Sequence, residues 1–504
     1  MRSKNAIRNI ATSLLLQIIA IVYGFIVPKI IIDCFGSNVN GLVVSITQFL
    51  SYISLLESGF GPVVKAVLYK PIANKDQKTI ENILKTAERF FRVIALIFVA
   101  YIVILSLFYP LIVSNDYSWL FTASLIIIIG FSTFAEYFFG MTYRIFLQAK
   151  QKTYIISIIQ IITYILSIIA IVLLAKLGVG IHMIKLAGSL LFLIRPILQN
   201  IYVRKKYDIS LKNCDGKYHL KQKWDGLAQH IAAVIHGKTD IVVLTIFSSL
   251  EEVSVYSIYY LVIKGIKSII QSLAEGIDAA FGDMIAKKEK QNLNVKFSIY
   301  EVCFNTINTI IFTTTMLLAT SFISVYTKGV TDANYIRPLF GYLIVISEYI
   351  WGIRLPYSSL TRAAGHFKET QIGAWVECIT NIVLSVILVN SLGIVGVAIG
   401  TIVAMTIRTV EFVYHTNKYI LERSVWESVK KILLVVAETI IIVLVSQMLP
   451  FRDNNNYLSW GINALMVFSV ACMVTFALNY MFFHKELKAS KKLLGRMISK
   501  RRKN

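Results

Sequence analysis

The chain alternates between long apolar runs and short polar segments. Over its 504 residues, fourteen runs are long enough to cross a hydrocarbon core of ~30 Å as helices. The runs lie near residues 10–32, 40–69, 90–113, 119–147, 153–176, 179–202, 225–247, 253–286, 297–326, 336–362, 368–391, 394–417, 428–449 and 458–483. This pattern predicts an all-α polytopic membrane protein with about 14 transmembrane helices.

The first run follows a basic start, as the apolar part of a signal peptide does. In MRSKNAIRNIATSLLLQIIAIVYGFIVP, however, the apolar stretch is about as long as a span, and no A-x-A-like cleavage site follows it. A signal peptide has a shorter apolar region and such a site. We therefore expect the segment to be retained as the first transmembrane helix.

The distribution of basic residues orients the predicted helices. The chain is 56% hydrophobic and carries a net charge of +23, with a mean hydropathy of +0.67. Lys and Arg are concentrated at both termini and after the even-numbered runs, whereas the opposite segments hold only Lys29, Lys176, Lys328, Arg337 and Arg452. Because positive residues accumulate on the cytoplasmic side, both termini are predicted to be cytoplasmic. This distribution also explains the basic charge without a nucleic-acid partner.

Three polar stretches on the predicted cytoplasmic side are longer than simple loops. Residues 74–92 carry apolar side chains at helical spacing between basic ones, which predicts an amphipathic helix on the inner leaflet. The C-terminal segment KELKASKKLLGRMISKRRKN is polybasic and should associate with anionic lipid. Topological anchoring alone would also explain both segments. Residues 203–224 form the longest polar stretch and would separate two halves.

The sequence partly repeats itself at an offset of 212 to 215 residues. EYFFG at 136–140 aligns with EYIWG at 348–352, FGSNVNGLVVSI at 35–46 aligns with FSSLEEVSVYSI at 247–258, and Arg195 falls near Arg408. The repeat predicts two pseudo-symmetric six-helix bundles that enter the membrane in the same direction, as in parallel-repeat transporters.

The predicted division follows from the repeat and the polar linker. The first bundle covers 1–202, the linker 203–224 and the second bundle 225–420. Residues 421–504 hold two additional transmembrane helices and the basic tail. Two bundles with a seam between them would allow a cavity and a rocking motion.

The eighth run contains the densest set of polar residues. Their spacings of three and four place them on one helix face: Lys264, Lys267, Gln271, Glu275 and Asp278. A charge at the centre of a membrane helix costs about 2.5–3.5 kcal/mol, so the stripe should face protein or water. It either lines a polar cavity or forms salt bridges that pack helices.

Other charged positions lie within the predicted spans. Lys238 and Asp240 are two residues apart in the seventh run and point to different faces. Glu136 and Glu348 occupy equivalent mid-span positions in the two halves, where they either carry a coupling ion or pack within their own bundle.

The second run contains LLESGFGPVVK, with Glu57 shortly before Pro62. Proline removes a backbone donor and favours a kink, which would serve either bending of the bundle or static packing.

Several kinds of chemistry have no signature in the sequence. There is no G-x-x-x-x-G-K-[ST] phosphate-binding loop and no histidine constellation of the HExxH kind. The five cysteines, Cys34, Cys214, Cys303, Cys378 and Cys472, show no disulfide or metal-ligand spacing. We expect neither a metal nor an organic cofactor, and we do not expect an enzyme. Transport could be coupled to H⁺, to Na⁺ or to the membrane potential.

Two segments resemble the MOP superfamily and, within it, the Wzx-type flippases of O-antigen and capsule repeat units. GLVVSITQFLSYISLLESGFGPVV at 41–64 is similar to the family's second span, with Glu57 at its acidic position. TDIVVLTIFSSLEEVSVYSIYYLV at 239–262 is similar to its span 7–8 hairpin, with Asp240 at the acidic position and Tyr256 as the tyrosine. The resemblance runs through the first twelve spans.

This resemblance implies a function, a location and partners. Such proteins move undecaprenyl-pyrophosphate-linked oligosaccharides across the bacterial cytoplasmic membrane, and a polysaccharide polymerase and glycosyltransferases would be possible partners. Related lipid II flippases use basic cavity residues for the pyrophosphate. On chemical grounds we assign that role here to Lys264 and Lys267, followed by Lys238, with Gln271 on the same face, because lysine supplies compact donors for a phosphate. Glu57, Glu136, Glu348, Asp240, Asp278 and Pro62 are the candidates for coupling or gating.

Three alternatives stay open at this point. A drug or cation exporter of the same superfamily would favour an acidic or aromatic cavity, against which the two lysines of the eighth run count. A membrane polymerase or ligase would need catalytic groups on substantial outer loops, but the predicted outer connections are short. A scaffold without transport activity would leave the charged stripe unexplained.

Overall fold

The computed structural model describes residues 2–57, 59–113, 116–211, 214–216, 218, 227–275, 277–453 and 456–501. Throughout these ranges the regular structure is helical, which confirms the predicted fold class. The α-helices are α1 (Arg2–Phe35), α2 (Ser37–Leu50), α3 (Ser54–Glu57), α4 (Phe60–Asn74), α5 (Gln77–Ile112), α6 (Trp119–Ala135), α7 (Met141–Ala149), α8 (Thr153–Lys176), α9 (Ile181–Tyr207), α10 (Leu227–Phe247), α11 (Leu250–Glu275), α12 (Asp278–Ala286), α13 (Lys290–Tyr326), α14 (Pro338–Ala363), α15 (Gln371–Leu392), α16 (Ile394–His415), α17 (Trp426–Ser446) and α18 (Tyr457–Arg501).

Thirteen helical segments in the described residues are long and apolar enough to cross a membrane. They match the predicted runs except the thirteenth, at 428–449, which corresponds to α17. At 21 residues α17 is about 31 Å long, enough for a span. It also contains Glu427, Lys430, Lys431 and Glu438, so it lacks the long stretch with at most two charged residues that the thirteen segments have.

Two predicted spans are each divided into shorter helices. The run at 40–69 forms α2, a 3₁₀ turn at Ser51–Ile53, α3 and α4, and Gly59 between α3 and α4 has a left-handed φ of 84°. Glycine adopts this conformation without steric cost. Pro62 therefore lies in the first turn of α4, where its missing N–H has no helical acceptor to lose. The predicted kink at Pro62 is replaced by a break that begins before it.

The run at 253–286 is divided in the same way. Helix α11 ends at Glu275 and α12 begins at Asp278. An acidic residue in the first turn of a helix is favourable because it meets the positive end of the helix dipole. The prediction of one continuous helix was therefore wrong, and Asp278 lies on a different helix from Lys264, Lys267 and Gln271.

The two aligned pentapeptides adopt different conformations. EYFFG forms a π-helical turn, Glu136–Gly140, between α6 and α7, whereas EYIWG lies in the regular helix α14. A Cβ atom on Gly140 would lie 3.0 Å from Cβ of Pro196 on α9, so the turn packs closely against that helix. Single π-helical turns are frequent at functional sites.

The predicted amphipathic segment at 74–92 is part of α5, which continues directly into the third span. Its apolar face is buried in protein: Ile80, Ile83, Leu84, Ala87 and Phe91 are at most 3% exposed. The prediction of a separate helix on the inner leaflet was therefore wrong. Helical periodicity shows that a face is covered, but a protein core and a lipid surface produce the same pattern.

The described part of the predicted linker lies along this extension of α5. The Ser210 backbone N–H donates to Glu81 Oε1 at 3.0 Å, and Arg89 Nη1 donates to the Asp215 carbonyl at 2.7 Å. The side chain of Leu211 is buried in the same core. Residues 212–213, 217 and 219–226 lie outside the described residues.

By internal contacts the chain forms two compact units, residues 1–254 and 255–504. In the first unit, α1 and α9 pack against α8, and α10 packs against α2. In the second unit, α15 packs against α16, and α13 packs against α14, α17 and α18. Helix α10, the first helix of the bundle predicted at 225–420, thus makes its contacts within the first unit.

Candidate functional sites

A cavity of about 460 Å³ in the first unit is lined by several of the predicted site residues. It is built where the second span breaks and the fourth span forms its π-helical turn. Its lining consists of Glu57, Gly61, Pro62, Lys65, Thr133, Glu136, Tyr137, Met141, Arg144, Ile145 and Gln148. The break and the π-helical turn therefore face the same polar space.

Two carboxylates in this cavity have different partners. Tyr137 Oη donates to Glu57 Oε2 at 2.8 Å. Arg144 Nη1 donates to Glu136 Oε1 at 2.5 Å, and the two side chains are 34% and 40% exposed. The Glu136 pair is thus open to the cavity. With Lys65 added, the lining has two acidic and two basic side chains, so it can accept polar groups of either charge.

Lys238 stabilises the break in the second span. From α10 its ammonium donates to the Ser51 carbonyl and to Ser54 Oγ, the latter at 2.9 Å. A cation next to the carbonyl end of a helix is favourable because those carbonyls lack helical partners. In this conformation the Lys238 ammonium therefore donates its hydrogen bonds to acceptors of the protein. Asp240 lies two residues further along α10 and is half-buried.

In the second unit, the structure joins two residues that the sequence assigned to different roles. Lys267 Nζ on α11 lies 2.7 Å from Glu348 Oε2 on α14, and the side chains are 23% and 5% exposed. The ammonium also lies 4.5 Å from the ring centroid of Trp351, a cation–π contact. The candidate pyrophosphate ligand and the candidate coupling acid therefore form one ion pair.

The remaining residues of the predicted stripe differ in environment. Lys264 is exposed, and among the described residues it has neither an ion-pair nor a hydrogen-bond partner. Gln271 is also exposed on α11. Asp278 Oδ2 accepts from Arg362 Nη2 at 3.1 Å, while the side chain of Glu275 lies outside the described residues. Lys264 is thus the stripe lysine that can meet an anion without first losing a carboxylate.

Glu136 and Glu348 occupy equivalent sequence positions but not equivalent environments. Glu136 pairs with an arginine eight residues along its own chain segment and borders a cavity. Glu348 is buried and pairs with a lysine from another helix. The duplicated glutamate therefore has two different local roles.

Sequence reasoning missed a buried arginine–glutamate network in the second unit. Arg354 Nη1 lies 2.6 Å from Glu377 Oε1, and Arg408 Nε lies 3.7 Å from the other oxygen of the same carboxylate. Arg408 also pairs with Glu411. All four charges fall within predicted spans, a signal that could have drawn attention to them.

A second missed cluster attaches the C-terminal helices. Glu301 on α13 is fully buried and accepts from Lys431 Nζ at 2.6 Å, from Arg423 Nη2 at 3.0 Å and from the Tyr357 hydroxyl. Lys431 belongs to α17. Because removing one partner of a buried pair leaves an uncompensated charge, this cluster fixes α17 to the second unit.

The whole chain is similar in structure to solved transporters. A structure of the lipid II flippase MurJ in an inward closed conformation matches with a TM-score of 0.69 at 16% identity, covering 95% of this chain and 100% of that one. An inward-facing multidrug resistance MATE family transporter of the MOP superfamily matches with a TM-score of 0.60 at 13% identity, covering 82% and 98%. This chain shares the fold of these two solved structures.

A third structure with this MOP fold is a transporter from Pyrococcus furiosus, with a TM-score of 0.52 at 13% identity over 84% of this chain and 97% of that one. That transporter has a binding pocket of reversed polarity, which suggests a different function for it. No protein-family model matches the sequence, and no curated protein matches it significantly. At 16% identity and below, the comparisons establish the shared fold and nothing further about this chain.

Proposed function

We propose that this protein is a flippase for lipid-linked oligosaccharides, moving undecaprenyl-pyrophosphate-linked polysaccharide repeat units across the cytoplasmic membrane by alternating access. The observation that carries the proposal is the exposed Lys264 on α11, which has no acidic partner among the described residues. A pyrophosphate is the kind of anion that such an ammonium binds. The similarity to a lipid II flippase over 95% of the chain supports the same substrate class.

Lys267 has a different place in this proposal. Because it is paired with Glu348, a polyanion that binds Lys267 must compete with that carboxylate. Lys264 then supplies the first contact with the headgroup, and the Lys267–Glu348 pair responds to it. This order would couple arrival of the substrate to a rearrangement of the Lys267–Glu348 ion pair.

The second candidate function is export of drugs or cations. The observation that favours it is the cavity of the first unit, where Glu57 and Glu136 line a space of about 460 Å³. MATE family transporters of multidrug resistance share the fold. Carboxylates attract organic cations, but Lys65 and Arg144 in the same lining oppose that attraction.

Reconstitution in liposomes separates the two functions. We expect the purified protein to move a fluorescent undecaprenyl-pyrophosphate-linked oligosaccharide between leaflets, measured by its accessibility to an impermeant lectin. Lys264→Ala should reduce this rate at least about tenfold, whereas Lys264→Arg should retain part of it because the charge is kept. Efflux of a cationic dye driven by an imposed H⁺ or Na⁺ gradient, with no movement of the lipid, would establish the exporter instead.

A further inference from the structure

Arg195 on α9 is an intramembrane cation for which the described residues provide no carboxylate partner. Its Nε–H donates to Thr163 Oγ1 on α8 at 2.8 Å. The Thr163 hydroxyl in turn donates to the Gln160 carbonyl at 2.9 Å, so its oxygen is oriented to accept. The guanidinium is therefore held in a fixed orientation by a neutral hydroxyl.

Two aromatic rings lie against the guanidinium. Its central carbon lies 4.0 Å from the ring centroid of Phe192 and 4.6 Å from that of Tyr164. The ring of Tyr23, from α1, lies 4.7 Å from the Tyr164 ring. Residues of α1, α8 and α9 thus form an aromatic cradle around Arg195. Stacking on rings favours the cation, but it satisfies none of the N–H groups in the guanidinium plane.

Most N–H donors of Arg195 have no acceptor among the described residues. An arginine carries five N–H donors, and the Nε–H is the one for which the described residues provide a hydrogen-bond acceptor. The Nη2 atom is buried, and the part of the chain that the structure describes gives it no hydrogen-bond partner. Unpaired buried donors lose their hydration without replacement, and a charged group loses the most. An acceptor from outside the described residues would satisfy the edge of the guanidinium.

The equivalent arginine of the second half has its acceptors within the protein. Arg408 pairs with Glu377 and Glu411, and it donates to the Thr370 carbonyl at 2.7 Å. Both arginines project from the last helix of their repeat towards the helix before it. The two arginines differ in their partners: carboxylates neutralise the charge of Arg408, whereas the described residues provide no carboxylate for Arg195.

We propose that Arg195 binds the phosphate oxygens of a lipid headgroup in a subsite formed by α1, α8 and α9. The planar fork of N–H donors matches a phosphate in two-point contact. The aromatic cradle restricts the movement of that fork. The phosphate comes either from the polyprenyl-linked substrate or from a bilayer phospholipid. In the first case the inference rests on the proposed function, and it then adds a headgroup contact within the first unit.

Lipid binding to the purified full-length protein tests the subsite. The probe is undecaprenyl phosphate, added in detergent and quantified by native mass spectrometry. We expect Arg195→Gln to weaken binding at least about tenfold, which corresponds to ~1.4 kcal/mol. Arg195→Lys should give an intermediate affinity because it keeps the charge but loses the fork. Unchanged affinity in Arg195→Gln would overturn the proposal.

A matched control lies on the same helix. Arg204 is exposed on α9 and donates to the Tyr143 hydroxyl, so Arg204→Gln should bind the probe as the wild type does. Thermal unfolding of each variant shows whether it is folded. If Arg195→Gln does not fold, the affinity of Arg195→Lys tests the proposal instead. Wild-type affinity in that variant would mean that the guanidinium fork does not bind the phosphate, which would overturn the proposal.

Competition identifies the source of the phosphate. Displacement of the probe by phosphatidylglycerol at equal concentration assigns the subsite to phospholipid headgroups, whereas displacement by inorganic pyrophosphate alone assigns it to the substrate. Both results require Arg195. A protein that binds the probe through Arg195 but does not move the labelled oligosaccharide would refute the proposed function and leave the subsite intact.

Discussion

Lys267 and Glu348 illustrate how a buried pair differs from an exposed one. Their side chains are 23% and 5% exposed, whereas those of Arg144 and Glu136 are 34% and 40% exposed. Removing one member of a buried pair leaves the other charge buried without compensation. When one member of an exposed pair is removed, water hydrates the charge that remains. The two pairs therefore provide a matched comparison within one protein.

A double-mutant cycle measures this difference. Lys267→Met and Glu348→Gln should each lower the free energy of unfolding by about 3 kcal/mol, and the double variant should lose clearly less than the sum of the two. The corresponding cycle on Arg144 and Glu136 should give a coupling energy below ~1 kcal/mol. Denaturant unfolding in mixed micelles provides the measurement. If the effects of the two substitutions on the free energy of unfolding add up, Lys267 and Glu348 do not form a stabilising ion pair.

The Cys214 thiol reports on how the linker lies against α5. Partial burial, together with the neighbouring Glu81 carboxylate, raises the pKa of Cys214. A raised pKa leaves less thiolate at neutral pH, and the thiolate is the reactive form. The thiol should therefore react slowly near pH 7 and faster as the pH rises.

Replacing the neighbouring carboxylate should shift this reactivity. We expect Glu81→Gln to move the pH profile of maleimide labelling at Cys214 to lower pH, because removing the negative charge favours the thiolate. Measured in a variant that keeps only this cysteine, the labelling rate at pH 7 should rise. A variant that keeps only Cys34, which is exposed on α1, is the control. An unchanged profile at Cys214 would mean that Glu81 does not face the thiol.

At the scale of elements, α2 makes an unusually close contact in the first unit. Asn40 Nδ2 donates to Ser254 Oγ at 2.8 Å, and the Ser45 and Thr245 hydroxyls are 2.6 Å apart. A Cβ atom on Gly41 would lie 1.8 Å from the Leu250 carbonyl oxygen. Glycine is thus required for this approach, which joins the segments FGSNVNGLVVSI and FSSLEEVSVYSI that the repeat aligns.

Adding a methyl group at this contact should be destabilising. We expect Gly41→Ala to cost about 1–3 kcal/mol, because the clash is with backbone and α2 must move away. In Gly237→Ala on α10 the new methyl group meets no atom within 4 Å, so this control should be neutral or stabilising by up to ~1 kcal/mol. Unfolding midpoints of the two variants in detergent give the comparison. Equal midpoints would rule out the close approach.

At the scale of the whole molecule, the orientation in the membrane is still a prediction from the charge distribution. It places Cys34 near the outer end of α1 and Cys214 in a cytoplasmic linker. We expect an impermeant maleimide to label Cys34 in sealed cells and to label Cys214 only after permeabilisation. Labelling at raised pH removes the effect of the raised pKa of Cys214. Rapid labelling of Cys214 in sealed cells would reverse the topology.

The sequence by itself determined the class of the fold, because a bilayer admits few solutions. Every backbone polar group of a lipid-exposed segment must be paired internally, so long apolar runs become helices. The positions and order of thirteen of the fourteen predicted helices followed from the runs, and the MOP resemblance followed from the segments at 41–64 and 239–262. The charged residues within the spans also indicated where polar sites would occur.

Only the tertiary structure decided which charges meet. Spacing along one helix shows which residues share a face, as for Lys264 and Lys267, but not which neighbouring helix supplies a partner. Glu348 lies 81 residues from Lys267 along the chain, and no local pattern connects them. The same reason explains why the apolar face of α5 is covered by protein, and why Arg408 has carboxylate partners among the described residues while Arg195 has none. Which charges pair depends on how the helices pack against one another, and the periodicity of the sequence does not predict that packing.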